Sequence, residues 1–525
     1  YVATSYGSDS NNGTSINTPF KTIGKAASVM SSGDKCYIRQ GRYHETITID
    51  DLDGSSGSAI VFTNYNNERV VVDGTTPITS TWTQVGSSNI WRTKLSADIW
   101  QLFINWEEQV MARWPNAKFS DDTVWDNDNY WAKGTIDDDE NAYTNGTIID
   151  DPYTNSAGTA IDLNATGFDL DETNKQAIAI LNLGSFKTWS RLVTSHSGNT
   201  FNYATVPTWK TKHHYYYLEG RKEFLDQEGE WWYDTYNNAD SLYYYAANGV
   251  NPNRLDFRGK VQSYAFSITG SQYVQIKNLE FFATTVYFSN GDNCLVYGCN
   301  FMYPSCSKRM LRTVDTEPEM TKFASGSSGS SIRNCAFRNT DGIALEMWGG
   351  TDTVDNCYFN KIDYSVADNS SIMLTIRMNG TSNVFRKNTV HRTGASATVM
   401  IGDAGLVEYN NLYDTGHLQS DGSMIQFMEG QQDGAICRYN WLHDTEKYGA
   451  RFDHSGTADG VNGIMHHNLA WNCESGGIMV KGDNHKIYNN TVLNSGSKND
   501  IIVLQINSGD HSSLSLIHIS EPTRH

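Results

Sequence analysis

The chain lacks any apolar run of the roughly 18 residues that a membrane-spanning helix needs, so no membrane is expected among its partners. Positive charge is scarce: 40 Lys and Arg against 59 Asp and Glu leave a net charge of −19. That balance argues against nucleic acid and anionic membrane surfaces as partners, while leaving room for an acidic substrate wherever basic side chains gather locally. The eight cysteines (36, 294, 299, 306, 335, 357, 437 and 473) form no C-x-x-C pair, and no two histidines have H-x-x-x-H spacing. A zinc or dithiol centre is therefore not expected. No D-x-D-x-D-G loop is present, so no metal site is assigned and no cofactor is required. Calcium is the one ion that the Asp-rich loops are equipped to take, through carboxylate and carbonyl oxygens.

What the sequence does have is a recurring asparagine. It stands in IKNLEF (Asn278), IRNCAF (Asn334), VDNCYF (Asn356), RKNTVH (Asn388), YNNLY (Asn411), RYNWLH (Asn440), HHNLAW (Asn468) and YNNTVL (Asn490), with Gly298 of VYGCNF in the same place. Successive gaps run from 20 to 36 residues. Each repeat is too short for a βαβ unit and has no helical period, so the expected unit is one coil of a right-handed parallel β-helix, an all-β solenoid. Asn suits such a position because its side chain can bond along the stack and tolerates turn conformations. Cys299, Cys335 and Cys357, each directly after the repeat position, read as small stacked apolar residues; a disulfide among the others stays open.

Four stretches follow. Residues 1–78 read as an N-terminal cap and first coils, with helical character over Thr22–Met30, where Ile23, Ala26, Ala27 and Met30 share a side. GSDSNNGT, PFKTIGKAA, GDKCYI and GRYHETI resemble the start of pectate-lyase-like right-handed β-helix proteins, a group that includes polysaccharide lyases and glycoside hydrolases. Over 79–253 the coil rhythm gives way to aromatic-rich alternating strands, read as an inserted β-subdomain whose Trp106, Trp114, Trp231 and Trp232 can wall a cleft. ARWPN and LEGRKEFLDQEGEWWYD resemble segments of many β-helix carbohydrate enzymes. Coils resume over 254–507, where RYNWLHDTEKYGARFDHSG and HHNLAWNCESGGIMVKGDNHKIYNNT resemble a run in uncharacterised β-helix proteins. The tail 508–525 breaks the pattern. HSSLSLIHISEPTRH resembles translated adapter sequence from a metagenomic read, and the expectation is that the native C-terminal cap is missing. The start at Tyr1 and the Asn-, Ser-, Thr- and Gly-rich composition point to a secreted protein whose signal peptide is already removed.

The strand after each Asn motif carries the candidate chemistry. Alternation turns Ile343, Leu345 and Met347 inward, and so Glu346 and Trp348 outward. The same rule places Arg377, Gln426, Arg451, Asp453 and Lys481 on the outer face, with Asp403, Glu429, His454 and Asp483 at strand ends. No other face assembled from the sequence concentrates charge this way. Stacked strands lie about 4.8 Å apart, so Glu429 and Asp453 on neighbouring coils suit the ~5–5.5 Å of a retaining carboxylate pair. Asp403 and Asp453, two coils apart, approach the ~6.5–9.5 Å of an inverting pair. Glu346, four coils from Asp453, is too far to be its partner.

The expected catalytic set is Asp453, Glu429, His454, Asp403, Lys481 and Arg451. The expected substrate-binding set is Arg377, Glu346, Gln426, Trp348 and Asp483. Tyr448, Trp441 and Trp471 are further aromatics for the groove, with core or edge packing the plainer reading for both tryptophans. A ladder of mutually satisfied surface ions is the reading to set against catalysis. Asn339-Thr340-Asp341-Gly342 resembles the NTDG motif of polygalacturonases, but the family's later Asp-Asp, Gly-His-Gly and Arg-Ile-Lys motifs do not follow, and the segment reads as a turn. His443, His466, His467 and His485 lie on different coils and read as turn or ladder residues.

The function expected is a monomeric glycoside hydrolase degrading an acidic or sulfated polysaccharide. A polysaccharide lyase, with Arg377, Arg451, Lys481 and His454 serving β-elimination, is the alternative. A non-catalytic glycan-binding adhesin or tailspike-like protein is the reading from a different class.

Overall fold

The computed structural model describes residues 1–134, 145–184, 186–207, 214–236, 240–369, 372–454, 460–495, 501–504 and 513–515. Among them, three long parallel sheets of twelve, eleven and eleven strands build a right-handed β-helix. The first sheet opens with Lys35–Ile38, Ile60–Asn64 and Val274–Lys277, the second with Gly41–Tyr43, Val70–Asp73 and Glu280–Phe282, and the third with Ile47–Asp50, Tyr264–Thr269 and Thr285–Ser289.

The corner between first and second sheets explains the repeat. The chain turns there through one residue at φ between 53° and 65°: Asn278, Gly298, Asn334, Asn356, Lys387, Tyr409, Tyr439, His467 and Asn489. Asn and Gly enter this left-handed region at least cost. At position 298 a Cβ would stand 2.5 Å from Asn278 Oδ1, so glycine is required.

The residue after each corner is buried and forms a second stack: Leu279, Cys299, Cys335, Cys357, Asn388, Asn410, Asn440, Asn468 and Asn490. Within it the amides run coil to coil. Asn388 N–H donates to Asn410 Oδ1 (2.9 Å), Asn410 to Asn440 (3.1 Å), Asn440 to Asn468 (3.1 Å) and Asn468 to Asn490 (3.0 Å). Each Nδ2 reaches a carbonyl of the preceding coil, as Asn440 does to Val407 at 3.0 Å. The sequence reading had merged these two rows. Asn278, Asn334 and Asn356 are corner residues, Asn388, Asn440, Asn468 and Asn490 are ladder residues one place later, and in the YNNLY coil the ladder residue is Asn410, not Asn411. Asn satisfies both positions for different reasons, so its recurrence alone does not fix the register.

The cysteines behave as small apolar residues. Cys299, Cys335 and Cys357 stack in that ladder, and all eight thiols are buried and unpaired, so the open disulfide does not form. Beside them Phe281, Phe301, Phe337 and Phe359 stack at 4.6, 4.7 and 4.9 Å between ring centroids. The open end is closed by the helix Ile23–Ala27, capped by Thr22 Oγ1, which accepts from Lys25 N–H at 3.1 Å, with Ile23, Ala26 and Ala27 buried in the core of the rod.

The insert starts at strand Thr75–Pro77 and returns through Phe257–Lys260, slightly wider at each end than the loss of coil rhythm suggests. It is two mostly antiparallel sheets of eight and seven strands sharing one core, in which Trp231, Trp232, Tyr216, Phe201 and Leu218 are buried. Trp231 and Trp232 therefore pack rather than wall a cleft. Trp114 packs on Phe168 and Tyr216, and Trp106 lies under the Arg42 guanidinium at 3.4 Å.

The insert docks on turns between the second and third sheets. Trp125, Trp131, Ile180 and Tyr217 meet Tyr364, Val366, Met373 and Leu418 in one apolar cluster. Arg309, wholly buried, ties insert to rod through Glu219 (3.0 Å) and Asp341 (2.9 Å). Asp341 of the NTDG segment is thus a docking residue; it also accepts from Ser307 N–H at 3.0 Å.

Candidate functional site

The third sheet aligns Tyr287, Lys322, Glu346, Arg377, Met400, Gln426, Arg451 and Met479 on successive coils. The expected row of Glu346, Arg377, Gln426 and Arg451 is therefore present and in register. Two clusters divide it. In the first, Glu346 lies between Arg377 NH1 at 2.7 Å and Lys322 Nζ at 2.8 Å, and Trp348 Nε1 donates to its Oε2 at 3.0 Å. The Trp348 ring stays 38% exposed over this trio, an apolar face of the kind that sugar rings stack on. Then Met400 interrupts the row, packed with Leu374 and Ala397.

The second cluster centres on Asp453. Its Oδ1 accepts from Lys481 Nζ at 2.6 Å, and its Oδ2 from Arg451 NH2 at 2.9 Å and Gln426 Nε2 at 3.1 Å. Arg451 is held in turn by Gln426 Oε1 (3.0 Å) and Asp421 (2.7 Å). The backbone is fixed too: Asp453 N–H donates to Phe427 O at 2.8 Å, and Gln432 Nε2 donates to Asp453 O at 2.5 Å. Arg451, Asp453 and Lys481 side chains keep 8%, 13% and 20% of their surface.

The expectation of an open charged groove needs correction. Glu346 and Gln426 are fully buried, and Arg377, Arg451 and His454 nearly so. Side chains of adjacent coils lie flat against one another and pair, removing each other from water. Of the charged residues expected around the Arg451 strand, Asp453 and Lys481 keep some contact with solvent. Asp403 and Asp483 stand on the turns beyond the strands: Asp403 enters no ion pair among the described residues, and Asp483 caps its own turn by accepting from Asn484 N–H at 2.9 Å. Glu429 begins a single helical turn, Glu429–Gln431, one coil before Asp453; its side chain lies outside the described residues. Register sets Phe427 opposite Phe452, so Glu429 is level with His454.

Lys322 and Asp421 belong to these clusters and were missed. Lys322 was legible as the residue in register with Glu346, whereas Asp421 arrives from a loop whose path strand alternation does not give.

A second charged face was missed altogether. Along the first sheet Arg333, Asp355, Arg386, Glu408 and Arg438 stand in register and alternate in sign. Asp355 pairs with Arg386 at 3.1 Å and Glu408 with Arg438 at 2.7 Å. Its signal is the residue directly before each corner. Trp441 is 57% exposed, against the packing expected of it, and Trp471 stacks on His443 at 4.0 Å. The histidines act as ladder and turn residues: His466 stacks on Tyr488 at 4.9 Å, and His485 Nδ1 accepts from Gly463 N–H at 2.9 Å.

Residues 323–492 match the family model described as a right handed beta helix region. The uncharacterized protein YwoF of Bacillus subtilis (strain 168) is 43% identical over 68 residues, 13% of this chain and 14% of that protein, so the match spans a small part of that relative. Among solved structures, one described as a glycoside hydrolase superposes with a TM-score of 0.62 at 12% identity, over 97% of each chain. The complex of XylC with xylose gives a TM-score of 0.48 at 13% identity, over 95% of this chain and 75% of that one. At 12% identity the likeness to the glycoside hydrolase structure is one of fold.

Proposed function

We propose that this protein is a secreted, monomeric glycoside hydrolase that cleaves an acidic or sulfated polysaccharide at the Asp453 end of the third sheet's outer face. The observation that carries the proposal is the setting of Asp453: a carboxylate with residual solvent access, held from three sides by Arg451, Lys481 and Gln426. Two cations and an amide hold such a group in one place, which is what a glycosidase asks of the carboxylate that faces the oxocarbenium-like transition state. The second carboxyl, the acid that protonates the leaving oxygen, comes from a neighbouring coil. Glu429 is one coil away and Asp403 two, and the coil spacing of about 4.8 Å spans the separations that retaining and inverting enzymes use. Arg451, Lys481 and Arg377 give an anionic sugar its counter-charge, Trp348 a stacking surface, and Gln432 positions Asp453 through the backbone. A fold shared with a glycoside hydrolase is compatible with this chemistry without deciding it.

Elimination is the second reading, favoured by the same Arg451–Lys481 pair beside His454, since a lyase neutralises a uronate carboxylate with cations and removes the adjacent proton with a base.

The test is Asp453→Asn and Glu429→Gln made singly and assayed on neutral, uronate and sulfated polysaccharides. Asp453→Asn is expected to lower kcat by about 10³-fold or more while circular dichroism and melting temperature stay near those of the parent. Full activity in both variants would remove the site.

A further inference from the structure

A cleft of about 570 Å³ opens between the insert and the second sheet, on a different face from the Asp453 cluster. The insert contributes Glu107 and Glu108, and the rod contributes Arg338, Asn360, Lys361 and Tyr364. Its volume falls in the range of small-molecule sites.

Glu108 decides what the cleft can hold. Its Oε1 accepts twice, from Gln101 Nε2 at 2.7 Å and from Tyr364 Oη at 3.2 Å. Its Oε2 has no partner among the described residues. Burial pushes the carboxyl up to about 8, so near neutral pH it carries a proton. With Oε1 already accepting two donors, that proton belongs on Oε2, where no protein acceptor meets it. That O–H opens onto the cleft, where a ligand oxygen can take the place of water as its acceptor.

The walls narrow the class. Glu107 is exposed and offers acceptors, while Asn360 and Gln109 present amides and Phe119 and Trp125 apolar ring surface. Two of the cations are already engaged: Lys361 with Asp122 at 2.6 Å, and Arg338 with Asn300 Oδ1 at 2.6 Å over the Tyr358 ring. In number, Lys118, Arg338 and Lys361 are matched by Glu107, Glu228 and Asp122. A site with a neutral acid as donor, acceptors, ring surface and no surplus positive charge suits uncharged polyhydroxylated rings rather than uronates or sulfated sugars.

We propose that this cleft is a second saccharide site, taking neutral sugar units through hydrogen bonds at the Glu108 carboxyl. The inference borrows from the proposed function only that the chain handles glycans. The other titratable and charged groups about Glu108 are Glu107, Arg113, Lys118, Tyr217, Glu219, Glu228, Glu230 and Lys260 on the insert and Tyr303, Cys306, Arg338, Asp341, Lys361 and Tyr364 on the rod. Burial pushes Lys260 down to about 8 and Glu230 up to about 8, so the test must separate both from Glu108.

The experiment is calorimetric titration of the whole chain carrying Asp453→Asn, which blocks turnover on the proposed mechanism, with cellotetraose, xylotetraose, mannotetraose and tetragalacturonate. At least one neutral probe is expected to bind at pH 6 and to weaken about tenfold or more by pH 9.5, as the donor proton is lost through a value near 8. Tetragalacturonate is expected not to displace it. Glu108→Gln retains a donor and an acceptor, so binding should persist and lose its pH dependence, whereas Glu108→Ala should abolish it. The proposal is overturned if no neutral probe binds at pH 6, if Glu108→Ala binds as well as its parent, or if the pH dependence survives in Glu108→Gln, which would assign it to Lys260 or Glu230. Because the readout is binding, an Asp453→Asn chain that still cleaves polysaccharide would sink the proposed function and leave this cleft standing.

Discussion

At the scale of single residues, an outward carboxylate on a parallel rod meets the side chain one coil away at about 4.8 Å, so its charge is set by the neighbour in register. Alternation along one strand predicted that Glu346, Arg377, Gln426 and Arg451 face outward. It could not predict that Lys322 and Arg377 would enclose Glu346, because pairing is a property of two coils. Asp352 shows the opposite case. Its Oδ1 accepts from Ser330 N–H at 2.8 Å, its buried Oδ2 makes no hydrogen bond of good geometry among the described residues, and burial pushes the group from 3.8 up to about 7. A carboxyl whose folded value lies above its unfolded one favours the folded state less as pH rises. The penalty is absent below pH 4, grows between about 4 and 7, and is complete above 7. Three pH units at about 1.4 kcal/mol each put it on the order of 4 kcal/mol. Asp352→Asn, which supplies the residue that Asn383 provides one coil on, is expected to raise stability at pH 8, to do little at pH 4, and to flatten the stability–pH slope between them. Urea denaturation at the two pH values measures this, and a variant that keeps the parent's slope would contradict it.

At the scale of elements, the strand-and-corner unit was readable because each part has its own chemical demand: a left-handed corner, an inward stack and alternating strands. The register was not readable, since Asn serves the corner and the ladder alike. The distinction has consequences. Asn410 is buried and links three coils, donating to Phe385 O at 3.0 Å and to Asn440 Oδ1 at 2.9 Å and receiving the Asn388 N–H at 2.9 Å. Asn411, its neighbour, is half-buried and among the described residues its side chain meets the His443 ring at 3.1 Å. Removing a buried amide that satisfies two backbone groups costs about 2–4 kcal/mol, and removing a partly exposed one under about 1. Asn410→Ala is therefore expected to lower the melting temperature well below that of Asn411→Ala. Equal effects, or the reverse order, would show that the ladder has been assigned to the wrong row.

At the scale of the whole molecule, the rod positions a face and the insert determines what surrounds it. The two-sheet core of the insert was foreshadowed by aromatic alternation, but its docking was hidden, because Arg309, Glu219 and Asp341 are far apart in sequence and meet only when the rod is wound. Replacing Arg309 by Met leaves Glu219 and Asp341 buried without their cation, which costs on the order of 3–5 kcal/mol. Faster proteolysis at the crossings near residues 74 and 260 is the expected result, and Glu219→Leu with Asp341→Leu added to Arg309→Met should recover much of the loss. A single variant as resistant as the parent would mean that the apolar contacts of Trp125, Trp131 and Tyr364 hold the insert alone. The central claim, that the rod carries a hydrolase, is tested most directly by the products it releases. On a uronate polysaccharide, new reducing ends without ultraviolet absorbance from unsaturated uronides are predicted. Both signals rising together would establish elimination and contradict hydrolysis, and glycan binding with neither signal would leave a binding protein in place of an enzyme.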